Sequence, residues 1–317
     1  MNSRRLLSLL CFLWIAALIV AALPCRALAK TYVAVASTTQ VADFARQVAG
    51  DDMVIHCILA PGADPHTYVP TPGDVALVTG ADITVQNGLH LEGNNWMAKL
   101  AKDAGKPLVV CTEGMTPLSM EYEGRNVKDP HAWFDPANAA VYVKNIERAF
   151  SELDPAHADN YRARARLYLS ELRVLDGWMR AQFSQIPPEE RVLVTSHDAF
   201  NYFCRAFRFN PRNDYLSLAP VGWSTGSEVG GGMTPSSRLR VVNSLKESGA
   251  RAVFVETSVN PKLLRQIAAE AGVAIGGLLY SDSMGEEDSA GETYLGMMRE
   301  NTLTIVRALL VPAKDGQ

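Results

Sequence analysis

Two short segments of the chain share the sequence Asp-Pro-His, and together they hold two of its six histidines. The first segment ends at His66 and the second at His131. Two further polar residues, His197 and Asp282, follow apolar segments that are predicted strands. Imidazole nitrogen and carboxylate oxygen bind zinc at about 2.0 to 2.2 Å, and manganese also accepts mixed nitrogen and oxygen ligation. The sequence therefore predicts that these four residues form a site for one divalent metal ion.

These four residues can meet only if the strands before them end on the same side of the fold. Short apolar runs alternate with segments of helical periodicity, a pattern typical of parallel sheets covered on both faces. The predicted strands are residues 32–36, 53–59, 82–86 and 107–111 in the first half of the chain, and 192–195, 214–219, 252–256 and 273–279 in the second half. Each of the four polar residues follows one of these strands. Ligands of open α/β sheets bind outside the carboxyl ends of the strands, so the four side chains are expected to converge in a cleft.

An internal repeat divides the chain. Residues 33–46 align with residues 192–205, and residues 80–85 align with residues 249–254, each time with an apolar strand at the same offset. The repeat predicts an α/β protein of two pseudo-symmetric lobes, each a four-stranded, mostly parallel sheet flanked by helices.

A long helix is predicted between the two lobes. Apolar residues from Tyr161 to Ile186 lie mostly three, four or seven positions apart, Asp154-Pro155 suits a helix start, and Pro187-Pro188 ends it. The predicted boundaries are a signal peptide at residues 1–29, an N-terminal lobe at 30–153, a linker helix at 154–187 and a C-terminal lobe at 188–317.

Each proposed ligand also has an ordinary structural interpretation. His66 and His131 could be loop histidines, Asp282 could form a turn, and His197 could cap a helix. Two further residues are expected near the predicted metal site. His90 follows a strand and could line the mouth of the cleft, and Glu256 could accept the N–H of a metal-binding histidine or simply be solvated.

The composition indicates a globular protein, and the N-terminal segment indicates that it is exported. The 317 residues are 48% hydrophobic and 20% charged, as expected for a folded chain. Residues 1–29 resemble a secretory signal, with two arginines, an apolar run over residues 6–23 and a small-residue cleavage pattern at 27–29. The apolar run is also long enough to favour a membrane anchor as the alternative. A lipid anchor on Cys25 is less favoured, because Pro24 stands where a small residue is usual.

Cleavage would leave an acidic protein without a disulfide framework. The loss of three arginines leaves 27 basic and 34 acidic residues, a net charge of −7 that argues against nucleic-acid binding. The remaining cysteines, Cys57, Cys111 and Cys204, lie in or beside apolar segments and are predicted to be buried free thiols.

Four motifs resemble those of the zinc- and manganese-binding solute receptors of bacterial ABC importers. The motifs occupy residues 61–72, 129–135, 196–203 and 280–297, in the order that this family has. The resemblance implies that His66, His131, His197 and Asp282 are the metal ligands. It also implies two lobes joined by one long helix, modest closure on metal binding, a membrane permease as partner, and a monomeric protein that is not an enzyme.

Two departures from the family pattern bear on which metal ion the protein carries. Many manganese receptors carry Glu where this chain has His197, and many zinc receptors have a His-rich loop where residues 116–128 contain no histidine. Three imidazoles favour zinc, because manganese prefers oxygen-rich sites; manganese stays open as the alternative. A glycine-rich segment at residues 226–232 has no assigned role.

Two other functions use the same ligands. A secreted zinc-dependent hydrolase would need an open coordination position and a nearby base, and the chain has no His-Glu-x-x-His segment. A surface adhesin with a structural metal is the second alternative.

Overall fold

A four-stranded parallel sheet organises the first half of the computed structural model, which describes residues 30–122, 125–219, 235–258 and 261–310. The strand order is β2-β1-β3-β4, and all neighbours are parallel. The strands are β1 (Tyr32–Ala36), β2 (Met53–Cys57), β3 (Ile83–Gln86) and β4 (Leu108–Val110). The helices between them are α1 (Thr39–Ala49), α2 (Pro72–Gly80) and α3 (Trp96–Asp103). The predicted first half is therefore confirmed as an α/β unit.

An antiparallel hairpin that the sequence did not predict precedes the second Asp-Pro-His segment. Its strands are β5 (Ser119–Tyr122) and β6 (Arg125–Lys128). Asp129 follows β6 directly, so the hairpin delivers the chain to the predicted ligand loop.

The second half repeats the strand order of the first with less regular strands. Strands β7 (Ala252–Glu256) and β8 (Ala274–Leu279) pair in parallel, and Val194 forms a single parallel bridge with Leu218. The amide of Phe254 in β7 donates to the carbonyl of Val194 at 2.9 Å, so the order matches β2-β1-β3-β4. Within the described residues, the four predicted strands of this half appear as two regular strands and one bridge.

An asparagine explains why the first predicted strand of this half is irregular. The side chain of Asn210 accepts from the amide of Leu193 at 2.8 Å and donates to its carbonyl at 2.9 Å. A strand would use these backbone groups in its ladder, and among the described residues only the carbonyl still accepts a neighbouring strand's amide, that of Leu218 at 3.4 Å.

One long helix contacts both halves. Helix α4 (Pro136–Leu153) precedes it, and helix α5 (Ala158–Phe183) has 26 residues, about 39 Å at 1.5 Å per residue. Its buried face is the predicted one, and it packs on α1 and α4 from the first half and on α9 (Tyr294–Leu310) from the second. The other helices of the second half are α6 (Asn201–Phe207), α7 (Pro235–Glu247) and α8 (Lys262–Ala271). The lobe boundaries at residues 153 and 188 stay a prediction.

From Tyr32 onward the chain forms one compact unit, and its three cysteines are free thiols as predicted; Cys111 and Cys204 are buried, whereas Cys57 is only partly buried. No helix within the described residues is long and apolar enough to cross a membrane. The predicted signal peptide at 1–29 and the glycine-rich segment at 226–232 lie outside the described residues.

Candidate metal centre

His66 is held in a turn that the segment from Gly93 to Trp96 supports. The carboxylate of Asp64 accepts the amide N–H of His66 at 2.8 Å, and the carbonyl of Pro65 accepts the indole N–H of Trp96 at 3.0 Å. Gly93 packs so closely on the turn that a Cβ there would lie 1.8 Å from the carbonyl oxygen of His66. Only glycine fits this contact without moving one of the two backbones.

His131 is positioned by the aspartate of its own motif. The Asp129 carboxylate accepts the amide N–H of His131 at 2.9 Å, as Asp64 does for His66, and the same oxygen lies 2.8 Å from the imidazole Nδ1. Asn201 of α6 donates to the other oxygen at 2.9 Å. The shared Asp-Pro-His core is thus a turn that presents a histidine, and in the second copy it also orients the ring. Sequence reasoning missed this role of Asp129, although the repeated Asp was the available signal.

His197 is positioned by Glu256, the last residue of β7, which is buried and not solvated, so the first of its two alternatives applies. One carboxylate oxygen of Glu256 accepts the amide N–H groups of Ser196 and His197 at 2.7 and 3.0 Å. The other oxygen lies 2.6 Å from Nδ1 of His197. A carboxylate beside Nδ1 favours the tautomer that leaves the Nε2 lone pair free for a metal.

Asp282 follows β8, but residues of the first half fix its loop. The carbonyl of Ser281 accepts the amide group of Gln40 at 3.0 Å, and the N–H of Met284 donates to the hydroxyl of Thr39 at 2.9 Å. The hydroxyl of Ser283 accepts the N–H of Gly62 at 2.7 Å. Sequence reasoning missed Thr39 and Gln40, which begin α1 three positions after the end of β1, because no local pattern pairs them with the loop of Asp282.

The structure brings the four predicted ligands together. The Nε2 atoms of His66 and His131 lie 3.3 Å apart, and one oxygen of Asp282 lies 3.2 Å from Nε2 of His197 and 3.5 Å from Nε2 of His66. The other oxygen lies 3.6 Å from Nε2 of His131, and the four ligand atoms all fall within 4.8 Å of one another. Donors about 2.0 to 2.1 Å from a tetrahedral ion would be about 3.3 to 3.4 Å apart. The spacing suits one shared transition-metal ion.

Burial gives this donor set its chemical character. Among the described residues, no donor hydrogen-bonds to either oxygen of the fully buried Asp282. A buried carboxylate is costly without a positive partner, so the arrangement fits a cation. Burial alone would raise the pKa of Asp282, but the neighbouring imidazoles, His197 foremost, hold it well below its usual range.

In the metal-free protein, the two inner histidines bind a proton more readily than an ordinary histidine does. Burial opposes their protonation, but the charges of Glu256 and Asp282 outweigh it and hold the pKa of His197 well above its usual value. The hydrogen bond and charge of Asp129 likewise raise the pKa of His131 against the effect of burial. The ring of Trp133 lies 5.4 Å from that of His131 and forms part of the apolar wall.

His90 lies where the sequence suggested, at the mouth of the site. It lines a cavity of about 350 Å³ that also reaches His66 and His131. His66 is the most exposed of the four predicted ligands, with 16% of its side chain accessible; the others are at 0 to 2%.

Comparison with known proteins identifies the family. Residues 34–308 match the family described as "Zinc-uptake complex component A periplasmic". The chain belongs to this family. Its members are periplasmic metal-binding receptors of ABC metal transporters, and they are not enzymes, which sets the hydrolase alternative aside.

Relatives share most of the chain. The manganese-binding lipoprotein MntA of Bacillus subtilis is 37% identical over 281 residues, covering 86% of this chain and 88% of that protein. The iron-binding protein YfeA of Yersinia pestis is 35% identical over 285 residues, covering 88% and 86%. The periplasmic zinc-binding protein TroA of Treponema pallidum has a structure similar to this one, with a TM-score of 0.79 at 31% identity over 88% of this chain and 99% of that chain. These similarities confirm the predicted fold class.

Proposed function

We propose that the protein is an exported receptor that binds one divalent transition-metal ion through His66, His131, His197 and Asp282 and delivers it to the permease of an ABC importer. One observation carries the proposal: two ligands from each half of the chain converge around a buried carboxylate that has no hydrogen-bond donor among the described residues. The family supports the same assignment.

The binding chemistry follows from the surrounding contacts. Three imidazole nitrogens and a carboxylate replace the water shell of the ion, while Asp129 and Glu256 hold the Nδ1 sides of two rings. Because the imidazoles must be neutral to ligate, metal and protons compete for the same nitrogen atoms.

Zinc is the cargo we propose, with manganese as the alternative. Three nitrogen donors favour zinc, and zinc also exceeds manganese in intrinsic affinity for most sites. Relatives named as manganese- or iron-binding show that this fold accommodates other ions. Both oxygens of Asp282 face imidazoles, so the site also offers the fifth donor that a larger ion would accept.

Export and assembly complete the proposal. We propose that residues 1–29 are removed and that the mature protein acts as a monomer beside its permease. Several relatives are named as lipoproteins, so an anchored form is the alternative. The mass of the mature protein from its native host distinguishes a cleaved soluble form from a lipid-modified one, and light scattering gives its oligomeric state.

The ligand assignment is tested by metal content and affinity. We expect the variants His66→Ala, His131→Ala, His197→Ala and Asp282→Ala each to bind zinc more weakly than the unaltered protein. His56→Ala is the matched control, because His56 is an exposed histidine on β2. Unchanged stoichiometry and affinity in all four variants would overturn the assignment, and zinc–manganese competition on the unaltered protein decides the cargo.

A further inference from the structure

The accessible side of the metal centre is the side of His66. His131, His197 and Asp282 are buried, whereas 16% of the His66 side chain is accessible. The cavity of about 350 Å³ beside it extends from His66 and His131 toward solvent. An ion that enters through this cavity therefore meets the exposed ligand His66 on its way to the buried ligands.

One more side chain that is able to bind a transition metal lines the cavity. His90 contributes an exposed imidazole to its wall, beside the exposed residues Asn94 and Lys128 and the partly buried Met120. Neutral imidazole is a good ligand for zinc and for other late transition metals. Of these side chains, His90 is the one suited to replace water on an incoming ion.

The turn that carries His90 is fixed to the turn that carries His66. Leu89 and His90 have positive φ angles of 54° and 67°, and the N–H of Leu91 closes the turn onto the carbonyl of Gly88 at 3.1 Å. Left-handed backbone is unfavourable at non-glycine residues, so the surrounding structure must hold both residues there.

Two contacts supply that support. The buried carboxylate of Glu92 accepts the amides of Asn87 and Gly88 at 2.8 and 3.1 Å. Gly93 packs directly on the His66 carbonyl. His90 thus occupies a defined position at the cavity wall and does not sit on a freely moving loop.

We propose that His90 is a transient ligand that passes the ion between solvent and His66. The inference rests on the proposed function and adds the route by which the ion reaches its four ligands. An incoming hydrated ion exchanges one water for the His90 imidazole, then exchanges further waters for His66 and the three buried ligands. Lys128 places a positive charge on the same wall, which opposes retention of a cation there. The cavity is therefore a passage and not a second storage site.

A transient ligand has a specific kinetic signature. It lowers the barrier between bound and free ion without contacting the ion in either end state. Its removal should therefore slow association and dissociation by the same factor and leave the dissociation constant unchanged. We expect a slowing of roughly threefold to tenfold, corresponding to a small rise of one barrier.

The test uses the His90→Gly variant, because glycine accepts the positive φ of this position and lacks the imidazole. Zinc association is followed by stopped-flow fluorescence, and dissociation by transfer of zinc to excess EDTA. His56→Ala is the control for loss of an exposed histidine elsewhere. Equal slowing of both rates in His90→Gly alone supports the route.

Other results overturn it. Unchanged rates in His90→Gly would show that the ion bypasses His90. A weaker affinity caused by faster dissociation alone would make His90 a resident ligand instead of a transient one. Failure of the unaltered protein to bind zinc or manganese would contradict the proposed function itself, so the two proposals fail in different measurements.

Discussion

At the scale of single residues, the orientation of His197 depends on one carboxylate. In Glu256→Gln, the amide oxygen can still accept the N–H groups of Ser196 and His197. The amide NH₂ would then face Nδ1 and favour the tautomer with the proton on Nε2, which cannot ligate. We expect zinc affinity to fall about 10- to 100-fold. Chelator competition measures the change.

The control for this substitution is Glu113→Gln, which alters an exposed glutamate that pairs with Arg148 and contacts none of the four ligands in the described residues. Circular dichroism should show that both variants fold. Equal zinc affinities for Glu256→Gln and the unaltered protein would mean that Glu256 supports the backbone of this loop and not the ring.

Acid should release the metal, because protons compete for the imidazole nitrogens. The carboxylates around them raise the pKa values of His131 and His197, so these rings take up protons at higher pH than an ordinary histidine, whose pKa is about 6.5. The apparent zinc affinity should therefore fall as pH falls, beginning above that value. Zinc titrations over a pH series check this, and an affinity that stays constant between pH 8 and 6 would contradict it.

Residue type and strand position made the ligands predictable. Histidines and an aspartate in the loops after apolar strands could be found from the sequence, and Glu256 at the end of β7 could be found as a candidate partner of a histidine. Thr39 and Gln40 could not, because they fix Asp282 through contacts that span 241 or more positions of the chain. A carboxamide or hydroxyl has many ordinary uses, and only the fold shows which one applies.

At the scale of elements, the His66 turn depends on the absence of a side chain at Gly93. Gly93→Ala places a methyl group 1.8 Å from the carbonyl oxygen of His66, so the turn or the segment before α3 must move. We expect about 1 to 3 kcal/mol of destabilisation, as in overpacked sites, together with weaker zinc binding. Chemical denaturation and zinc titration measure the two effects.

Gly80→Ala is the matched control, because a Cβ at Gly80 meets no atom within 4 Å. Its stability and zinc affinity should stay close to those of the unaltered protein. If Gly93→Ala behaves in the same way, the packing of this segment does not hold His66 in place.

The loop of Asp282 depends in turn on helix α1. Gln40→Leu keeps the approximate volume of the side chain but removes the donor to the buried Ser281 carbonyl. An unsatisfied buried carbonyl costs about 1 to 3 kcal/mol, and a looser loop should bind zinc more weakly. The comparison variant is Gln185→Leu at an exposed position after α5. Equal unfolding free energies for the two variants would refute this contact as a link between the halves.

The elements themselves were predictable where local pattern decides them. Continuous apolar runs predicted the strands β1 and β3, and the spacing of apolar residues predicted which face of α5 is buried. The irregular segment at residues 192–195 was not predictable, because the side chain of Asn210, distant in sequence, occupies the backbone groups of Leu193. The β5–β6 hairpin lacked the regular apolar alternation that marks a strand.

At the scale of the whole molecule, the metal centre joins parts of the chain that are far apart in sequence. Each half supplies two of the four proposed ligands, and the loop of Asp282 is already tied to α1. Helix α5 packs on helices of both halves. These contacts hold the halves together without metal, which is consistent with the modest closure expected for this family.

Metal binding should therefore stabilise the entire fold, because unfolding would separate ligands that one ion holds together. At a free zinc concentration of 100 times the dissociation constant, the gain is about 2.7 kcal/mol, and we expect a rise in Tm of roughly 4 to 5 °C. Excess EDTA should reverse it. Asp282→Asn should lose most of the rise, because the neutral amide is a poor ligand, whereas His56→Ala should keep it. Differential scanning calorimetry with and without zinc decides the matter: an equal rise in Asp282→Asn would place the stabilising ion outside the proposed site.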